Sequence, residues 1–190
     1  MSASVGHLVG RFFGSMFAGS VGALDLAWVE EILTDEERRL WLRMGRVDQV
    51  ESVRVARRAA AHLGDSDAVW LAAALLHDVG KRDCGFGTLR RAGATLMGRL
   101  AGRETTYAWM SSTGHVRRVG LYMHHDEIGS VAIQVAGGRP EVSAWAKVHH
   151  DPSRWRSAEV PARIGRVLAA ADGERFADGM SALHSTSAAD

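Results

Sequence analysis

His77 and Asp78 stand side by side at the end of the most apolar run in the chain, Val69-Trp70-Leu71-Ala72-Ala73-Ala74-Leu75-Leu76. A segment apolar on every side predicts a helix buried all round. An ionised carboxylate at its end meets both desolvation and the negative end of the helix dipole, so something positive must sit beside it. Two compensations are open: Asp78 pairs with Lys81 or Arg82 and His77 is a core histidine, or both residues hold a metal ion.

More donors of the same chemistry follow. Ile164, Leu168 and Asp172 recur at i, i+4 and i+8, which places Asp172 on the apolar face of its helix; the alternative is a helix-end acid facing Gly173 and water. His124-His125 precede the acidic helix start Asp126-Glu127, and His149-His150 end a helix whose apolar face includes Val142, Trp145 and Val148. A histidine at a helix C-terminus also serves as a cap, so either member of the second pair has a structural alternative. His7, His62, His115 and His184 have no such context and read as surface residues. Imidazoles and carboxylates without a thiolate suit iron or manganese first and zinc next, one or two ions, whereas magnesium wants more oxygen ligands. Ligands scattered over four helices point to a catalytic or exchangeable site.

The elements that must position these residues are helical. The three prolines, Pro140, Pro152 and Pro161, all fall in the last third, and no period-two alternation suggests a strand. Helical spacing predicts helices over 24–33, 35–44, 48–63, 67–79, 88–100, 113–123, 127–136, 140–149 and 161–176. Thr34 is the expected N-cap with Glu37 three residues on, Val53, Ala56, Ala60 and Leu63 form one buried face, and Gly64 and Gly80 supply stops. Residues 81–87 are expected to be a loop. The fold class is all-α, a single-domain helical bundle over 24–178, with an irregular arm at 1–23 and a tail at 179–190.

At 190 residues the chain is long enough for one core and short for two. With 46% hydrophobic and 24% charged residues it has the make-up of a globular domain rather than a disordered one. A formal net charge of +1 with no long basic block argues against a nucleic-acid duplex as partner. Cys84 is the single cysteine, so no intrachain disulfide forms and the cytoplasm is the expected compartment. The apolar stretch 8–24 is interrupted by Arg11, rich in glycine and serine, and too short to span a bilayer, so no membrane role is expected.

The segment Ala73-Ala74-Leu75-Leu76-His77-Asp78-Val79-Gly80-Lys81 resembles the signature helix of the HD-domain metal-dependent phosphohydrolases. His125-Asp126-Glu127-Ile128-Gly129 is similar to that family's downstream histidine segment, Val148-His149-His150-Asp151 to its paired histidines, and 168–172 to its last ligand helix. The match runs over about residues 45–174. It implies a helical bundle of the HD type with metal ligands His77, Asp78, His125, His149, His150 and Asp172, Asp78 bridging where two ions bind. It further implies hydrolysis of a phosphate ester or nucleotide by metal-activated water. Lys81 is the expected catalytic cation and phosphate contact, with Arg90 and Arg117 as substrate contacts, Arg91 and Arg118 as further candidates, and Gly85-Phe86-Gly87-Thr88 as an anion-binding helix start.

The chain departs from the family at one ligand: the register Asp48-Gln49-Val50-Glu51-Ser52 puts Glu51 where the family has its first histidine. Glu51 either supplies an oxygen ligand or is a solvated glutamate beside a site lacking that imidazole. Pro152-Ser153-Arg154-Trp155 stands where cyclic-dinucleotide phosphodiesterases of the superfamily carry Gly-Tyr-Pro, which disfavours that substrate. The chain is also far smaller than the superfamily's dNTP triphosphohydrolases. Two other activities remain compatible with the residues: a di-iron oxygenase of a small molecule, and a non-catalytic signalling or interaction domain.

Overall fold

In the computed structural model the described residues are 19–63, 67–86 and 88–173. The expected tail, most of the arm and the stop at Gly64 lie outside them. Ten α-helices follow in order: α1 Ala23–Ile32, α2 Asp35–Trp41, α3 Arg46–Ala60, α4 Ala68–Leu76, α5 Thr88–Ala101, α6 Arg103–Trp109, α7 Gly114–Met123, α8 His125–Ala136, α9 Pro140–Val148 and α10 Ala162–Asp172. Among the described residues there is no strand, and no helix is long and apolar enough to cross a membrane.

The apolar run becomes the central helix. Residues Ala72 to Leu76 of α4 are fully buried, and α3 and α9 lie against it with α1, α2 and α10 around them. Trp41, Val53, Val142 and Leu168 complete this core from neighbouring helices. Burial is what stabilises it, at about 2 kcal/mol for each fully covered leucine. Thr34 caps α2 as its sequence predicts, its hydroxyl accepting from the Glu37 amide while Glu37 accepts from the Thr34 amide. Glu37 is buried and also takes the Arg139 guanidinium, so the cap ties α2 to the start of α9.

Helix α4 stops earlier than its sequence suggests, at Leu76 rather than 79. His77 and Asp78 form a turn, and Val79–Cys84 is a 3-10 helix where a loop is expected. The reason is local: the His77 ring donates to the Ala74 carbonyl, and the Lys81 amide bonds the Asp78 carbonyl, so short-range bonds replace the next α-helical turn. A second apolar cluster, Cys84, Phe86, Ala94, Val119 and Leu121, joins this segment to α5 and α7.

The short helix α6 is absent from the sequence expectation, because Thr105-Thr106 followed by Tyr107 and Trp109 is a poor helix run. Gly102 at φ +81° breaks α5 from it, and the Thr106 hydroxyl bonds back onto the Gly102 and Arg103 carbonyls.

Gly80 sets the distance between the turn after α4 and the start of α8. A Cβ there would lie 2.0 Å from the His125 carbonyl oxygen and 2.7 Å from the Gly129 amide nitrogen. Gly80→Ala is therefore expected to destabilise the protein by about 3 kcal/mol or more in urea unfolding. Unchanged stability would show that α8 does not depend on this approach.

Candidate metal centre

Four helix ends bring the chemistry together. His77 and His149 are the C-caps of α4 and α9, Asp172 is the last residue of α10, and His125 is the first of α8. Three C-terminal ends carry partial negative charge, and two carboxylates add to it, so the place they meet favours a cation. His77, His125 and His149 are 2%, 6% and 2% exposed, which removes the competing solvation of water.

Each of these three rings is oriented in the same way. Nδ1 of His77, His125 and His149 bonds the carbonyl three residues back, of Ala74, Tyr122 and Ala146, at 2.8, 2.7 and 2.9 Å. A carbonyl only accepts, so Nδ1 carries hydrogen and Nε2 is turned toward the cluster, as in histidines that bind metal. Tyr122 further supports His125 by stacking on its ring at 5.8 Å between centroids. These supports are missed by a reading of side-chain types alone.

Asp78 is the hub. Its Oδ1 lies 3.3 Å from His125 Nε2 and 3.9 Å from His149 Nε2, and its Oδ2 3.4 Å from His77 Nε2. Asp172 Oδ1 is 3.6 Å from the same His77 nitrogen. These separations exceed good hydrogen bonds. They approach the roughly 3.0–3.4 Å between two ligand atoms that share one cation at about 2.1 Å. His77 Nε2, His149 Nε2 and Asp78 Oδ1 are buried with no hydrogen-bond partner. Leaving three such atoms unpaired is costly, and a cation is one group that could answer them.

His150 completes a group with His125 and His149: one donor atom of each falls within 4.8 Å of the others, a spacing that can hold a metal ion. His150 itself is exposed, with Nε2 3.4 Å from His125 Nε2. The donors thus gather around Asp78, with His77 toward Oδ2 and itself beside Asp172, and His125 and His149 toward Oδ1.

Both compensations left open by the sequence are present together. Lys81 Nζ is 2.5 Å from Asp78 Oδ2, the oxygen that His77 also faces, and leaves Oδ1 to His125 and His149. Burial opposes the charged forms of Lys81 and Asp78, yet their mutual attraction raises the lysine pKa and holds the aspartate well below its usual range. His77 feels the same burial, outweighed by Asp78 and Asp172, and its pKa is raised to about 9. Burial pushes His125 and His149 down, with neighbouring imidazoles adding to it for His149.

Glu51 is not drawn into this cluster. Its carboxylate lies 3.4 Å from Arg58 and 3.6 Å from Arg54, both on its own helix. Arg90 and Arg117 are exposed and bond no member of the cluster, Arg91 is taken by Asp48, and Arg118 lies over Gly85. His124 faces away, its Nε2 3.1 Å from the Thr106 hydroxyl. Gly87, part of the expected anion loop, is outside the described residues.

Comparison with protein-family models, curated proteins and solved structures finds no match.

Two outcomes are expected. Folding raises the His77 pKa from 6.5 to about 9, so its contribution to stability is full below pH 6.5 and lost as pH rises through about 9. Urea unfolding of chelator-treated protein should show declining stability over that window, and His77→Asn should remove the decline; a flat parent profile would contradict the charge balance around Asp78. For Glu51, Glu51→Ala should leave metal content unchanged and shift stability by no more than about 0.5 kcal/mol. Loss of metal in that variant would return Glu51 to the ligand set.

Proposed function

We propose that the protein is a metal-dependent phosphohydrolase of the HD-domain type, acting on a phosphate ester or nucleotide. The observation that carries the reading is the convergence of His77 Nε2, His149 Nε2 and Asp78 Oδ1, buried and unpaired, beside the Lys81 ammonium. The resemblance of the His77-Asp78, His125, His149-His150 and Asp172 segments to that family points the same way.

A divalent ion, iron or manganese before zinc or magnesium, supplies Lewis acidity when bound: it polarises a phosphoryl oxygen and lowers the pKa of water. His77, Asp78, His125, His149, His150 and Asp172 would hold one or two such ions. The Nδ1 bonds to Ala74, Tyr122 and Ala146 fix the rings before any ligand arrives, so little ordering cost falls on binding. Lys81 lies beside the same cluster, its side chain 15% exposed, and presents a cation to the phosphate oxygens. This cation favours phosphate transfer over oxidation of a neutral small molecule by the same ligands.

Metal analysis of protein purified without chelators, paired with a screen of nucleotides and phosphate esters, tests the proposal. The parent should carry metal and release phosphate. Asp78→Ala and His149→Ala should lower metal affinity by about 10 to 100-fold or more while keeping the helical spectrum. Lys81→Gln should keep the metal and lose turnover. Oxygen consumption without phosphate release would favour the oxygenase, and absence of metal after reconstitution the non-catalytic domain.

A further inference from the structure

Helix α5 is packed on one face and apolar on the opposite, exposed one. Its inner face is packed: Ala94 is buried in the second apolar cluster, Thr95 reaches the Tyr122 hydroxyl, Gly98 lies against the Met123 side chain, and Arg91 pairs with Asp48. The outer face of such a helix is ordinarily polar. Here it carries Leu96, Met97 and Leu100, one stripe at i, i+1 and i+4, exposed by 63%, 41% and 82%. Gly93 extends the stripe by one turn, and nothing lies within 4 Å of where its Cβ would be.

Charge says what fits there. Arg90 and Arg99 flank the stripe, each roughly 80–100° around the helix from Leu100 and on opposite sides. Both are exposed and, among the described residues, neither has an ion-pair partner. The helix contains no acid, and from Thr88 to Met123 the sequence has six arginines against the single acid Glu104, although the whole chain carries only +1.

We propose that the outer face of α5 docks on the anionic surface of a phospholipid bilayer. Leu96, Met97 and Leu100 enter the boundary between headgroups and acyl chains, while Arg90 and Arg99 remain at the phosphates. A helix with an apolar stripe edged by arginines is the arrangement that binds in the plane of such an interface. A second copy of the chain fits less well, because antiparallel pairing of this face would set arginine against arginine with no acid to answer it. Nucleic acid would use the arginines and leave the leucines in water. The sequence expectation of no membrane role weighed only the apolar stretch near the N-terminus as a span or export signal; contact by α5 is peripheral. It stands independently of the metal centre.

Sedimentation of the full chain with vesicles tests this, using phosphatidylcholine alone and phosphatidylcholine mixed with phosphatidylglycerol. The protein should sediment with the mixed vesicles, not with phosphatidylcholine alone, and should release as salt is raised. Leu96→Ser with Leu100→Ser should weaken binding by about tenfold or more. Arg90→Gln with Arg99→Gln should weaken it by about fivefold for each arginine removed. All four residues are exposed, and unchanged helical spectra and metal content would show that the variants fold. No sedimentation with mixed vesicles, or equal sedimentation of both double variants and the parent, would overturn the proposal. So would dependence of binding on Phe12 and Phe13 rather than on α5. A vesicle-free dimer dissolved by the leucine substitutions would assign the face to a second copy. Salt-sensitive binding of a DNA duplex, lost with the arginines but not the leucines, would assign it to nucleic acid.

Discussion

The carboxylate of Asp78 is the constraint around which the molecule is organised. It stands two residues past the end of an apolar helix, largely withdrawn from water and where the helix dipole opposes its charge. The Lys81 ammonium answers one oxygen, and the second faces imidazole nitrogens at distances too long for good hydrogen bonds. A buried acid with half its lone pairs unanswered is unstable as a structural device and well suited to a metal ligand.

The surrounding architecture follows from that requirement. The ends of α4, α8, α9 and α10 meet at one point, so side chains far apart in sequence are held together by rigid elements rather than by a loop. At α4 and α9 the helix sets its own histidine, because the ring of the residue at the helix end bonds the carbonyl three positions back, and His125 bonds Tyr122 of α7 in the same way. That bond satisfies a carbonyl the helix cannot pair internally and selects the tautomer that leaves Nε2 free. Gly80 and Gly129 let the turn after α4 approach the first turn of α8 closely enough for Asp78 and His125 to meet. The Asp48–Arg91 pair, with Arg91 also donating to the Phe86 carbonyl, anchors the far end of the 3-10 segment that carries Lys81.

Much of this is visible in the residues alone, where a single physical cause dominates. The all-round apolar run of α4, the Thr34–Glu37 cap and the apolar register of Asp172 each depend on near neighbours and emerge from periodicity. What escapes depends on tertiary context. Helix α6 forms from Thr105, Thr106 and Tyr107 against their propensity, because α7 packs on it and Thr106 meets His124. Glu51 lies at the register of a ligand, but Arg54 and Arg58, one and two turns along, hold its carboxylate at the surface of α3. The choice posed at Asp78, lysine partner or metal donors, is between neighbours that the fold brings to the same carboxylate.

The central claim is that Asp78 and the converging imidazoles hold a divalent ion, and anomalous diffraction from crystals grown with manganese or zinc tests it most directly. The account predicts a difference peak about 2.0–2.3 Å from an Asp78 carboxylate oxygen and from Nε2 of at least His77 or His149. A well-ordered cluster with no peak, and Lys81 still closed on Asp78 at saturating metal, would contradict it.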